Sequence, residues 1–324
     1  MTIRISGTGS ALPEKILTNK ELEKTVDTSD EWIRERTGIA QRHIAEKETV
    51  ASLAAAACAE ALKDAGKSAE DVELILVAST SSEMLLPCTA AQVQSAIAAV
   101  NAVAFDINAA CSGFLFALQT ANAYITSGMY KNALVVGSEV LSRIVNWQDR
   151  STCVLFGDGA GAVFVEECSM EGQGVLGMRQ GSDGSRGAVL SCRAGHFADA
   201  APGQFICNDA FIHMDGSEVY RFAVRTVPEC IERTLKDAGL TAQDIDLYVL
   251  HQANIRIIES IAKRLGVEMG RFAYNLDRVG NTSSAAIPLL LDELNKCGKI
   301  KKGSRLVLSG FGAGLTYGAC VMRW

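Results

Sequence analysis

Residues 61–78, ALKDAGKSAEDVELILVA, align without a gap on residues 234–251, TLKDAGLTAQDIDLYVLH, at an offset of 173 positions. Eight aligned positions between Leu62 and Ala78 are identical, and most others exchange like for like: Ser for Thr, Val for Ile, Glu for Asp. LKDAG alone would be a common helix ending, but the turn and strand that follow it match as well. Each copy reads as a helix, a Gly stop, a short turn and an apolar strand. The matching order continues: ALVVGSE (133–139) has its counterpart in RLVLSGF (305–311), and GDGAGAVFVEE (157–167) in GAGLTYGACVM (312–322). A repeat built from helix and strand units predicts two homologous α/β halves, 1–170 and 171–324, meeting near the loop CSMEGQG. Pro13, the charged helical stretch SDEWIRERTG and residues 180–212 read as insertions. The last is rich in Gly, Ser, Ala and Asp and predicts a long loop.

Duplication brings equivalent strand ends together across a pseudo-twofold axis, and that is where a shared site is expected. In INAACSGFLFAL (107–118) the thiol of Cys111 stands between a strand, VNAVAFDIN, read as buried, and a helix that is apolar nearly all round. Position alone leaves two readings open. A free Cys is often a small core hydrophobe, whereas the first turn of a helix favours a thiolate nucleophile. The offset of 173 carries Cys111 onto Ser284 in GNTSSAAIPLLLDEL, where Asn281 and Thr282 read as helix caps. His251 ends the strand LYVL, at the carboxyl edge where α/β sites lie. Symmetry therefore brings Cys111, His251 and Asn281 towards one crevice from three segments.

Composition excludes several classes. The net charge of −6 argues against general nucleic-acid binding. No apolar run approaches the ~20 residues of a membrane span, and MTIRISGTGSALP lacks the apolar core of a signal peptide. Ten cysteines, nowhere closer than 15 residues apart, form no CxxC and read as reduced cytoplasmic thiols rather than a disulfide or zinc framework. GTGSAL and GDGAGA hint at a dinucleotide site, but the first lacks the third glycine and the second runs into a strand instead of a helix.

AACSGF, LHQANIRIIESIAKRLG, RVGNTSSAAIP and SGFGAGLTYG, with SDEWIRERTGI and DRSTCVLFGDGAGAV, resemble β-ketoacyl-acyl-carrier-protein synthase III from about residue 3 to Trp324. The resemblance implies an α/β thiolase-like fold: two βαβαβαββ halves in five layers, α-β-α-β-α, usually as a homodimer. It implies an acyltransferase that starts fatty-acid synthesis from acyl-CoA and malonyl-acyl carrier protein, with catalytic Cys111, His251 and Asn281 and no cofactor or metal. The same resemblance assigns Trp32 and Arg150 to the CoA adenine, with Arg36 and Thr37 nearby, and Phe311 to the decarboxylation site. It assigns Asn254 to the pantetheine entrance, and Gln252, Ala253, Asn254, Ile255 and Arg256 to the carrier-protein contact. Leu86 stands where relatives often place a Phe that reaches into the partner's acyl pocket. A related synthase of specialised metabolites, using malonyl-CoA, would share the triad. A degradative thiolase would use a second Cys in the C-terminal glycine-rich loop, whereas Cys320 lies beyond it in the last expected strand.

Overall fold

The computed structural model describes residues 1–193 and 210–324. Ten strands form two five-stranded sheets. The first holds β1 (Thr2–Ala11), β2 (Leu74–Ala78), β3 (Val103–Ile107), β4 (Asn132–Glu139) and β5 (Gly159–Cys168) in the order β1-β5-β4-β2-β3. The second holds β6 (Gly174–Ser182), β7 (Leu247–Leu250), β8 (Phe272–Ala273), β9 (Arg305–Gly312) and β10 (Thr316–Arg323) in the order β6-β10-β9-β7-β8. Replacing each strand by its counterpart turns one order into the other. Pairing senses agree too: β2 runs parallel to β3 and β4, as β7 does to β8 and β9. The last strand of each half is antiparallel to both neighbours.

Two helices, α4 (Gly113–Thr126) and α7 (Ala286–Lys296), lie between the sheets. Phe114, Leu115, Leu118, Ile287, Leu290 and Leu291 pack there against Leu74, Leu76, Val135, Leu306 and Leu308. A helix sealed on both sides must be apolar all round, and that is the pattern of the stretch after Cys111. Helices α2 (Val50–Ala65) and α3 (Thr89–Ala96) cover the outer face of the first sheet, and α5 (Gly216–Asp237) and α6 (Ile255–Leu265) that of the second. The result is five layers, α-β-α-β-α. Along β2, Leu74, Leu76 and Ala78 face the central layer while Ile75 and Val77 face α2, so both faces are buried and the strand reads as a continuous apolar run.

The two glycine motifs serve packing. A Cβ on Gly9 would lie 2.2 Å from the Ala57 carbonyl of α2, and one on Gly161 would lie 2.4 Å from Leu289 N of α7. Bare backbone lets the helices approach the sheet that closely.

Two expectations are corrected. The strand before Cys111 is the edge of its sheet, only half-buried, with Val103 exposed. The 180–212 insertion is also not one long loop: 180–182 finish β6, a helical turn spans Gly184–Val189, and Leu190–Cys192 pairs antiparallel with Ile212–Met214. Its remainder, 194–209, lies outside the described residues.

Candidate active site

Each central helix is entered through a short helical turn, Ala110–Ser112 before α4 and Ser283–Ala285 before α7. Ala110 stands at φ +49° and Ser283, its counterpart by the offset, at φ +50°. A left-handed conformation at a non-glycine residue costs about 1–3 kcal/mol and persists only where packing imposes it. In the first half the elbow presents Cys111. Gly312 makes room for it, since a Cβ there would lie 2.6 Å from Cys111 N.

The thiol differs from expectation. Burial pushes Cys111 up to about 12, partly opposed by Ser283 and reinforced by the Glu139 carboxyl. A helix terminus offsets ~0.3–1 kcal/mol, up to ~2, too little for a gap of several pH units at ~1.4 kcal/mol each. Cys111 is nonetheless part-exposed, bordering open space on both sides, so this upward push acts on a thiol that the helix start still favours as thiolate.

His251 follows β7 directly, its N–H donating to Ser309 O at 2.8 Å. Its ring meets Phe311 edge-on, with centroids 5.6 Å apart, and burial lowers it to about 4, so the imidazole is neutral at physiological pH. Nδ1 is sealed off without a partner. A proton there would be stranded, so the neutral ring carries it on Nε2, assigned here by elimination. Asn281 is pinned by backbone on both sides: its N–H donates to Leu155 O at 2.9 Å, and its carbonyl accepts from Gly157 N at 3.0 Å. Its side-chain Oδ1 accepts from Ser283 N at 2.9 Å. That bond fixes the amide's orientation and leaves Nδ2 without a protein partner.

Cys111, His251, Asn281 and Phe311 line one narrow cavity of about 130 Å³, together with Asn254 and Gly312. On its other side Cys111 also borders a cavity of about 850 Å³ that includes Ser79, Ser81, Met84, Ser283 and Thr316. The elbow thus places the sulfur between two spaces, one holding the paired donors.

The outer residues are distributed less evenly. In α1 (Asp30–Thr37), Ser29 caps the helix by accepting from Trp32 N. The Arg150 guanidinium lies 4.9 Å from the centre of the Trp32 ring and donates to Asp27 O. Arg36 is exposed beside Asn254, whose Nδ2 donates to Arg36 O at 3.0 Å while its Oδ1 caps α6. Thr37 is buried, its hydroxyl spent on Ile33 O and Ile39 N. Ala253 and Ile255 are half-buried and Arg256 is exposed. Gln252 is completely buried: its amide donates to Leu250 O and accepts from Asn275 N, so it offers no surface to a carrier. Leu86 is 83% exposed and does not reach the cavities of its own chain. Cys320 is buried in β10, away from the cavities.

Sequence reasoning missed Glu139. It is fully buried at the end of β4, hydrogen-bonded to Ser81 and Ser284. The signal was present: the match of ALVVGSE with RLVLSGF sets this acid opposite Phe311, a charged group against an apolar one at the end of the strand.

A family model described as 3-oxoacyl-[acyl-carrier-protein] synthase III matches residues 105–184, and the model of its C-terminal part matches 235–324. The chain is 48% identical to a β-ketoacyl-[acyl-carrier-protein] synthase III of Clostridium acetobutylicum, over 100% of this chain and 99% of the relative. Identity to one from Synechococcus elongatus is 49%, covering 99% and 97% of the two chains. The solved 3-oxoacyl-[acyl-carrier-protein] synthase III of Aquifex aeolicus superposes with a TM-score of 0.93 at 42% identity, covering 99% of this chain and 100% of that one.

Proposed function

The chain belongs to the 3-oxoacyl-[acyl-carrier-protein] synthase III family, and on that premise we propose that it starts fatty-acid synthesis, condensing an acyl-CoA with malonyl-acyl carrier protein and releasing CO₂ and CoA. The observation that carries this reading is the pair of unpartnered donors, His251 Nε2 and Asn281 Nδ2, lining the same cavity as the Cys111 thiol. Sulfur at Cys111 is a soft nucleophile that can later leave, as two successive acyl transfers require. It takes the acyl group from CoA while main-chain N–H groups of Cys111 and the Gly310–Gly314 loop hold the oxyanion. Malonyl-carrier protein then replaces CoA. Loss of CO₂ leaves an enolate whose thioester oxygen needs two donors, supplied by neutral His251 and Asn281. The carbanion attacks the acyl-Cys111 carbonyl and the sulfur departs. All charge developed is oxygen anion or thiolate within reach of N–H donors, so this scheme calls on no metal or redox cofactor.

Trp32 and Arg150 would bind the adenine, with Arg36 and Thr37 lining its approach, Thr37 through packing only. Asn254, which lines the smaller cavity, and Arg256, exposed two residues on, would flank the entrance that pantetheine uses. The apolar tip Met84–Leu86 and the free edge of β3 are the surfaces a second copy would cover in a homodimer. The substrates and the unpaired thiols fit a cytoplasmic enzyme, and no helix among the described residues is long and apolar enough to cross a membrane. Intact-mass spectrometry tests the reading. Acetyl-CoA should add one acetyl group to wild type and none to Cys111→Ala, and malonyl-carrier protein should discharge it as 3-oxoacyl-carrier protein. Absence of an adduct with every acyl-CoA tried, or discharge by malonyl-CoA in preference to the carrier, would sink it.

A further inference from the structure

The glycine-rich loop between β9 and β10 is fastened at both ends and almost nowhere between. Gly312 closes the β9–β10 ladder opposite Thr316. Leu315 exchanges two backbone hydrogen bonds with Asp183, at 2.7 and 2.9 Å, just past the end of β6. Ala313 and Gly314 lie between these fixed points, and Gly314 takes φ +131°, a conformation that favours glycine. Among the described residues, the one hydrogen bond that either of them makes comes from the Thr316 hydroxyl, which donates to Ala313 O at 2.9 Å.

Thr316 Oγ1 also reaches the elbow that carries the thiol. It lies 3.0 Å from Ala109 O, two residues before Cys111, and 2.8 Å from Ser112 Oγ, one residue after it. Ser112 donates to Thr316, which leaves the single Thr316 proton for a carbonyl, Ala313 O being the nearer. Ser112 is fully buried, and its other acceptor, Ala109 O at 2.8 Å, belongs to the same elbow. The elbow thus seats the two hydroxyls, and they tether the loop.

Loop and elbow meet backbone against backbone: a Cβ on Gly312 would lie 2.6 Å from Cys111 N and 3.1 Å from Ser112 N. The N–H groups of Cys111 and Ala313 have no acceptor among the described residues. Both residues border the larger cavity, as Thr316 does, whereas His251 and Asn281 border the smaller one.

We propose that Thr316 is a positioning residue for acyl transfer: its hydroxyl, seated by Ser112, sets the spacing of the Cys111 and Ala313 N–H groups that hold the thioester oxyanion. This rests on the functional reading above, in which main chain serves that oxyanion, and adds what fixes the main chain. Both donors must stand ~2.7–3.1 Å from the oxyanion, and a two-residue span with no other hydrogen bond does not keep one of them there by itself. Acylation of Cys111 and attack of the carbanion on acyl-Cys111 both pass through this oxyanion. Decarboxylation does not, since its enolate oxygen faces His251 and Asn281. Loss of the Thr316 hydroxyl therefore separates the two halves of the reaction. CO₂ leaves, but the carbanion meets a carbonyl that is not activated, takes a proton from water and departs as acetyl-carrier protein.

Thr316→Val keeps the shape and removes the hydroxyl, Thr316→Ser keeps the hydroxyl, and Ser112→Ala removes its support. Single-turnover acetylation by acetyl-CoA is followed by rapid-quench mass spectrometry. Enzyme fully acetylated by long incubation is then given malonyl-carrier protein, and CO₂ and 3-oxoacyl-carrier protein are measured together. In Thr316→Val acetylation should slow ~10–100-fold, short of the ~10²–10³ that outright loss of an oxyanion donor costs, with no change in the acetyl-CoA concentration giving half the maximal rate. CO₂ release should keep close to its wild-type rate, so that CO₂ exceeds 3-oxoacyl product and acetyl-carrier protein makes up the difference. Thr316→Ser should recover most of the rate, and Ser112→Ala should lie between. Wild-type acetylation in Thr316→Val, with CO₂ and product in equal amounts, would overturn the proposal. So would equal losses in Thr316→Val and Thr316→Ser, or a fall in CO₂ release as large as that in acetylation, since either marks a packing role. Should Thr316→Val not fold, wild-type acetylation and coupling in Ser112→Ala would do the same. Failure of wild type itself to acetylate would instead remove the functional reading beneath it.

Discussion

Arg150 lies over the indole of Trp32, its guanidinium carbon 4.9 Å from the ring centre, so the two residues assigned to the CoA adenine are stacked on each other. An adenine that enters between them must first part them, giving up a cation–π contact of ~0.5–1 kcal/mol at an exposed site. Trp32→Ala should therefore raise KM for acetyl-CoA several-fold, and Arg150→Ala by less, because it also removes the contact to be broken. Steady-state kinetics with an N-acetylcysteamine thioester, which has no adenine, should show neither effect. A change of similar size with both donors would mean that the pair supports the fold and not the nucleotide.

The division of labour at the centre gives a second expectation. On the proposed mechanism His251 and Asn281 would offer donors to the enolate, while backbone would serve the acylation oxyanion. His251→Ala or Asn281→Ala should each slow decarboxylation of malonyl-carrier protein by ~10²–10³ and leave acetylation of Cys111 measurable. Release of CO₂ and the acyl-enzyme mass are read separately. Loss of acetylation as complete as the loss of decarboxylation, in a folded variant, would show that the roles are not divided.

Much of this arrangement was legible in the sequence, because duplication writes topology directly. Once 61–78 is set on 234–251, two like halves and the meeting of Cys111, His251 and Asn281 follow from symmetry, while the five layers followed from the family resemblance. Illegible was whatever depends on which polar groups the packing seals in. Gln252 looked like surface beside Asn254 and Arg256, but the turn after β7 directs it at the Leu250 and Asn275 backbone. Glu139 ends a strand as any solvated acid does, and Cys111 stands where a helix favours a thiolate. Only burial in the assembled layers turns those two into a raised carboxyl and a raised thiol.

The two raised or lowered groups at the centre make opposite statements about pH. His251, lowered to about 4, is neutral in the folded enzyme while an unfolded histidine already binds a proton below ~6.5. Its burial is therefore without cost above that value, and folding stability is lost as pH falls from there towards 4. Decarboxylation by pre-acetylated enzyme should hold its His251-dependent rate down to about pH 5 and fall only below it. An acid limb with a midpoint near 6.5 would mean that the ring is solvated. Cys111, raised to about 12, should show no thiolate absorbance below about pH 9 when wild type is titrated against Cys111→Ala. A midpoint below 8 would contradict a thiol raised by its surroundings.

Carrier docking supplies the last expectation. The chain is acidic overall, −6, so attraction for an acidic carrier must come from a local patch. Ion pairing engages three of the six cations near α6: Arg221 is held by Glu218, and Arg225 and Arg264 share Glu229. Arg271 donates to the Gln243 and Ile245 carbonyls. Arg256 and Lys263 are exposed on α6 without a carboxylate partner among the described residues, and Arg256 stands two residues past Asn254, which lines the smaller cavity. Exposed charges act weakly one at a time and over no more than ~8 Å at physiological salt. Arg256→Glu should accordingly raise KM for malonyl-carrier protein and flatten its dependence on salt, leaving acetylation by an N-acetylcysteamine thioester nearly unchanged. Lys263→Glu, farther along the helix, should do the same more weakly. If Arg256→Glu instead harmed both donors equally, Arg256 would be supporting the Asn254 cap and the entrance itself, and the docking charge would have to lie on another face.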